Sequence, residues 1–263
     1  MKRFIPLMLA FALAAPAALF AQDYEQETGQ LYQVSVWNVD PATAEAFEAS
    51  AKLFVQASEK ANSPFTWAFW QKGTEYMIVY PVADFAYFDD PEQWVRSMVG
   101  TPGEADMQKA MENFSNVKMI AVSDEIAELK EDWSYMVEGF DMQTMTAGVV
   151  DVMWTKPNTQ EAWEKLNKDW VTFFTDLGYP YPYHGHSVRF GDVGRTIYVT
   201  FTDDLSDYFG KNDLYTMVEA KGMGERWSEL GDAFNATVRR WEQYIMQYRR
   251  DMSYWPMEEG ATN

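Results

Sequence analysis

Apolar and polar residues alternate from Leu31 to Val39 (LYQVSVWNV), which predicts a strand. A helical spacing follows, with Phe47, Ala51, Phe54 and Val55 on one face behind Pro41, a residue suited to a helix start. Phe65 to Gln71, the turn Lys72-Gly73 and Glu75 to Val82 predict a hairpin. The pattern then recurs. Pro157 opens a second helical stripe of Trp163, Leu166, Trp170, Phe173, Phe174 and Leu177. Ser187 to Phe190, a turn through Gly191 to Gly194, and Thr196 to Thr202 predict a second hairpin. Trp227, Phe234, Trp241 and Tyr248 recur every seven residues, with Leu230 and Ile245 beside them, and predict one long helix. Met119, Val122, Ile126 and Leu129 predict its counterpart in the first copy. Asp132-Trp-Ser-Tyr135 and Asp251-Met-Ser-Tyr254 then read as openings of short last strands.

The matching positions keep a steady offset. Pro41 and Pro157 stand 116 residues apart, the two closing phrases 119 and the hairpin glycines Gly73 and Gly194 121. Such self-similarity predicts a tandem repeat, with a first unit over 31–140, a linker over 141–148 and a second unit over 149–259. Growth of the offset between helix and hairpin predicts an insertion around Gly178 to His186. Each unit reads strand, helix, strand, strand, helix, strand. That is the ferredoxin-like order, an α+β class with both helices on one face of an antiparallel sheet.

The order, size and tandem copying of Leu31 to Trp255 resemble the dimeric α+β barrel superfamily, which includes antibiotic-biosynthesis monooxygenases, NIPSNAP proteins and chlorite-dismutase-like haem proteins. The resemblance implies two βαββαβ units whose sheets face each other and close one barrel within the chain, around a cavity. A barrel closed in this way makes a monomer the default. On the first strand, the apolar set Tyr32, Val34 and Val36 is expected on the helices and the mixed set Gln33, Ser35 and Trp37 toward the other sheet. Val150 and Val152 alternate with Asp151 and Met153 in the same way.

Composition narrows the function. A basic start at Lys2 and Arg3, an apolar run from Phe4 to Phe20 broken by Pro16, and the small residue Ala21 read as a secretory leader over 1–21. A polar tether over 22–30 follows, and 260–263 form a tail. The expected location is periplasmic or secreted, with no membrane association after the leader is removed. The chain has no cysteine, which excludes disulfides and thiol chemistry. A net charge of −19 repels phosphate backbones and argues against nucleic acid. With 47% hydrophobic and 16% aromatic residues a sizeable core is assured.

Candidate chemistry centres on the two histidines of the chain, in Tyr181-Pro-Tyr-His-Gly-His-Ser187. Residues at i and i+2 of an extended segment point the same way, so His184 and His186 could bind one divalent metal, with Asp151 completing the site. Tyr183, stiffened by Pro180 and Pro182, joins Trp37 and Arg189 as a candidate ligand contact. By resemblance to the haem proteins, a histidine with Arg189 nearby would suit haem. By resemblance to the monooxygenases, Trp37, Trp67, Trp70 and Tyr198 could line a cofactor-free site. No catalytic triad or phosphate loop is visible, so no cofactor is named. The leading expectation is an exported small-molecule-binding protein. An oxidoreductase of the barrel type is the alternative, and a structural or interaction module is the third.

Overall fold

A computed structural model describes residues 29–90, 92–142, 144–192, 194–211 and 213–255. The leader, most of the tether and the tail lie outside the described residues. The first half runs β1 (Leu31–Val39), α1 (Ala44–Ala61), β2 (Ala68–Lys72), β3 (Glu75–Val82), α2 (Gln93–Met98), α3 (Glu104–Phe114) and β4 (Met119–Tyr135). The second runs β5 (Ala147–Thr155), α4 (Gln160–Leu177), β6 (Tyr183–Phe190), β7 (Arg195–Thr202), α5 (Leu205–Lys211), α6 (Leu214–Ala220), α7 (Gly224–Thr237) and β8 (Val238–Tyr248). The eight strands close one barrel in the order β1-β3-β2-β8-β5-β7-β6-β4, all neighbours antiparallel. No helix among the described residues is long and apolar enough to cross a membrane.

Local chemistry sets the helix ends. The Asp40 carboxylate accepts from the Ala42 N–H ahead of α1. Asn62 and Gly178 close α1 and α4 in the left-handed region, at φ 48° and 69°. The helix predicted through Tyr248 stops at Thr237, and Val238 is already extended with ψ 131°. Its counterpart at Met119 to Leu129 is likewise strand throughout. A seven-residue spacing alone does not distinguish the periods. The segments are rich in β-branched and aromatic residues, and two-residue alternation fits them as well. Met246 and Tyr248 turn inward, whereas Trp241 and Ile245 lie exposed on the other face.

The two closing phrases do not open strands. Trp133 to Tyr135 end β4, and Asp251-Met252 form a short 3-10 turn after β8. Each phrase latches onto the opposite half. Ser134 Oγ accepts from Gly185 N–H at 3.0 Å, and Tyr135 donates to the Tyr179 carbonyl at 2.8 Å. Ser253 Oγ accepts from Phe69 N–H at 2.8 Å, and Tyr254 donates to the Ser63 carbonyl at 3.1 Å. Trp133 thereby joins the core beneath α4, and Met252 the core beneath α1.

The strand faces are the reverse of the expected assignment. Val34 and Val36 point into the barrel with Val150, Val152 and Trp154. Trp37 packs under the helices, with its ring 5.7 Å from Phe47 and 5.5 Å from Phe114. Alternation separates two faces but does not say which faces the helices. Here valines of β1 and β5 face the inter-sheet space, and the Trp37 indole packs in the helix layer.

Candidate functional site

The second hairpin is built from regular strands. The ladder pairs His184 with Val199 and His186 with Ile197, as Ala68 pairs with Val79 and Trp70 with Met77. Positions 184 and 186 therefore match 68 and 70, at the same offset of 116 as the helix starts. The extra length falls at the β6–β7 turn, beyond the histidines. No inserted loop carries them, which corrects the expectation of one.

Gly185 fits its place because the latch runs close beside it. A Cβ there would lie 2.8 Å from the Trp133 carbonyl oxygen and 2.9 Å from the Tyr198 ring. On either side of this glycine both imidazoles turn to the barrel interior. The His184 ring stands 4.9 Å from Phe201, the His186 ring 5.8 Å from Tyr32, and the two imidazoles 6.1 Å from each other. The surrounding walls are closed, with Val150, Ala127, Val188 and Val152 at most 4% exposed. Tyr32, His184 and His186 keep accessible surface and are only half-buried. An inward-facing side chain on a closed barrel retains such surface only where the interior beside it is open.

Burial lowers the pKa of both histidines. For His186 burial and the neighbouring His184 outweigh a bond to the Ile197 backbone and push it down to about 3. Burial also raises the Tyr32 hydroxyl.

The other candidates lie elsewhere. Asp151 shares its ladder row with Tyr198 and Gly185, on the face opposite the histidines. It accepts from Trp241 Nε1 at 2.7 Å and Gln243 Nε2 at 2.9 Å. Burial raises its pKa while these two bonds oppose the rise. Tyr183 packs outward against Tyr135, Phe174 and Tyr198. Arg189 also turns outward, with its Nε 3.0 Å from the buried Glu128 carboxylate, which Lys130 Nζ approaches at 3.1 Å. Tyr198 donates to Asn167 under α4, and Trp67 to the Met252 carbonyl. Of the proposed aromatic wall only Trp70 faces inward, against Tyr248 and Phe201. Tyr32 and Phe201 were missed. The alternation at Tyr32 marked it, but on the wrong face.

Among the described residues no group of three or more His, Cys, Asp and Glu could hold a metal ion, so Asp151 does not complete a site with the histidines. The histidine and arginine that the resemblance asks for haem are split across the two faces of β6, and the residues do not fit that group. The two ends of the barrel differ. Phe140, Met142 and Met145, from the stretch joining the halves, pack on the interior at one end. Toward the other, Arg195 pairs with Glu125 and Lys72 sits over the Tyr244 ring. A surface depression around Thr155 to Gln160 and Arg239 is shallow, open to solvent and lined by none of these residues.

No family model and no curated protein matches the sequence. Solved structures do. A candidate monooxygenase from Fusobacterium nucleatum aligns at 11% identity over 84% of this chain and 93% of its own, with a TM-score of 0.55. An anthrone oxidase-like protein gives 11%, 85%, 93% and 0.53. A candidate monooxygenase from Lactobacillus acidophilus gives 9%, 86%, 95% and 0.52. The fold shared with these structures is an α+β barrel. At these identities the likeness is one of fold, and it extends over nearly the whole described chain. In this α+β barrel both sheets come from one polypeptide, and the two inward imidazoles come from one half of it.

Proposed function

We propose that this α+β barrel is an exported protein that binds a small, largely apolar molecule inside the barrel, against Tyr32, His184 and His186. The carrying observation is the accessible surface that these inward side chains keep between otherwise closed walls. Apolar walls with a few convergent polar groups are the usual make-up of a ligand pocket. Export rests on the leader-like residues 1–21, which makes the periplasm or the medium the place of action. We read the halves as tandem ferredoxin-like units, since β4-β1-β3-β2 and β8-β5-β7-β6 run in the same order and the two latches correspond. The barrel is complete in one chain, so the active form is a monomer.

A second reading has its own support. A neutral imidazole can take up a proton, and His184 is the candidate general base, because His186, pushed down to about 3, holds a proton too weakly to draw one from a carbon acid near neutral pH. Removing a proton from a carbon acid is what cofactor-free oxygenation would ask of it, and barrels of this fold include a protein described as anthrone oxidase-like. Binding is tested with Nile red as a neutral apolar probe, followed by fluorescence and by ring NMR of the two histidines. Both ring systems should shift, and His184→Ala with His186→Ala should weaken binding about tenfold. Unmoved ring signals, or equal binding by the variant, would refute the site. Oxygen uptake with anthrone as substrate separates an oxidoreductase from a binder.

A further inference from the structure

We propose that Trp70 determines which molecules the barrel accepts. Its indole fills, over Gly148, the twin of the corner made by His186 and Tyr32, and so limits the ligand to a compact one. This deepens the reading above, and rests on it for the open space at the histidines and for the halves as tandem units.

The twin is found by tracing the repeat through the interior. His186 and Trp70 stand 116 residues apart, and so do Gly148 and Tyr32. The ladders agree. Trp70 pairs with Met77 in the first hairpin as His186 pairs with Ile197 in the second. Tyr32 lies on β1 between β3 and β4, and Gly148 on β5 between β7 and β8. Each corner therefore joins a hairpin strand of one half to the first strand of the other, β6 with β1 and β2 with β5. In one corner the His186 ring stands 5.8 Å from the Tyr32 ring. In the other, a Cβ on Gly148 would come within 2.9 Å of the Trp70 Cζ3 and of Val199 Cγ1.

The contents of the two corners differ in size. The large ring on β2 meets no side chain on β5, whereas the small ring on β6 meets a tyrosine on β1. Trp70 is 5% exposed, and Val199 and Phe201 beside it 8% and 5%. Tyr32 and His186 are only half-buried. The repeat builds two corners, and Trp70 closes one of them. Glycine at 148 permits the closure, because only a residue without Cβ lets the indole lie this near the strand.

The closed corner bounds the open one. The Trp70 ring stands 6.3 Å from Phe201, and Phe201 stands 4.9 Å from His184. Met145, from the stretch joining the halves, belongs to the same cluster as both. A ligand against the histidines meets a wall of rings in that direction and finds no channel along the barrel. A compact ring system fits such a space and a long chain does not. Removing a large side chain from an apolar interior leaves a cavity that stays dry and takes up apolar molecules, so a smaller residue at 70 lengthens the pocket.

The test is displacement of bound Nile red by naphthalene and by 1-dodecanol from the parent, Trp70→Leu and Trp70→Ala, with circular dichroism to show which variants are folded. Naphthalene should displace the dye from all three at concentrations within about twofold, whereas 1-dodecanol should compete at least about tenfold better in Trp70→Ala and by a smaller factor in Trp70→Leu. Leucine keeps much of the apolar filling, so that variant carries the test if the alanine protein does not fold. A tryptophan that only supported the fold would shift both competitors alike. Equal shifts for the two competitors, or no gain for 1-dodecanol in a folded variant, overturn the proposal. The two readings fail separately. Nile red bound by the parent, with selectivity unaltered in the variants, leaves the pocket standing without this role for Trp70. A parent that takes up no Nile red removes the pocket and the role together.

Discussion

Where the first half of the barrel places Ala68 and Trp70, the second places His184 and His186. Trp70 fills its space with an indole only 5% exposed, whereas the imidazoles leave room around them. The sequence pointed to the histidines because only two exist and their spacing fixes a shared face. It could not place Asp151, Tyr183, Trp37 or Arg189, since parity along a strand says nothing about which face is the interior. The histidine pair also has a pH signature. A pKa lowered on folding means that the unfolded chain binds more protons below pH 6.5. Stability from these groups is full above that value and falls as pH drops, for His186 down to about 3. At pH 5.5 the loss from His186 should be about 1 kcal/mol, and His184 should add to it in the same direction. Urea unfolding between pH 7.5 and 5.5 should show that loss, and the His184→Asn, His186→Asn protein should lack it. Equal slopes in both proteins would contradict the neutral buried pair. Arg189 tests the opposite face. Because it is partly exposed and Lys130 remains on Glu128, Arg189→Ala should cost about 1 kcal/mol of stability and leave Nile red binding unchanged. A loss of binding would return Arg189 to the site.

At the scale of elements, the first strand, first helix and hairpin of each half were legible from period and turn residues, except that Tyr183 to His186, the start of β6, read as an inserted loop. The failures were β4 and β8, whose residues satisfy a helical stripe and a strand alternation alike. What decides between them is non-local: β4 needs β1 and β6 as neighbours, and β8 needs β5 and β2. The repeated phrase was recognised, but its meaning required the other half of the molecule. Its tyrosine in each case reaches a backbone carbonyl just past the end of the opposite half's first helix. Tyr135→Phe and Tyr254→Phe keep the ring and leave a carbonyl without its donor, so each should cost about 1 to 2 kcal/mol. The two sites are far apart in the fold, and their effects should add in denaturant unfolding of the double variant. Variants as stable as the parent would reduce the latches to incidental contacts.

The whole molecule is held together by exchange between its halves. Each half gives its closing segment, the end of β4 in the first and the residues after β8 in the second, to the helix layer of the other, and two seams, β2 with β8 and β4 with β6, close the barrel. Cutting out one half exposes those strand edges and uncovers the space beneath α1 or α4 where Met252 or Trp133 sits, leaving a single sheet with one apolar face bare. Neither half should therefore be stable alone, and the intact protein should unfold in one transition, with tryptophan fluorescence and circular dichroism coincident. The connecting stretch offers a clean cut, since Thr144 lies exposed in it and the latches and seams do not depend on its continuity. Co-expressed chains 22–143 and 144–259 should copurify as a 1:1 complex with the circular dichroism of the parent and a full complement of latch bonds. Expressed singly, each should aggregate or pair with a second copy of itself, because a like half presents the same strand edges and the same closing phrase. In a barrel made from two second halves, His184 and His186 would appear twice and both walls would carry imidazoles, which doubles the binding capacity read with Nile red. A single half that stays folded and monomeric would show that the exchange between halves is not what holds the barrel closed.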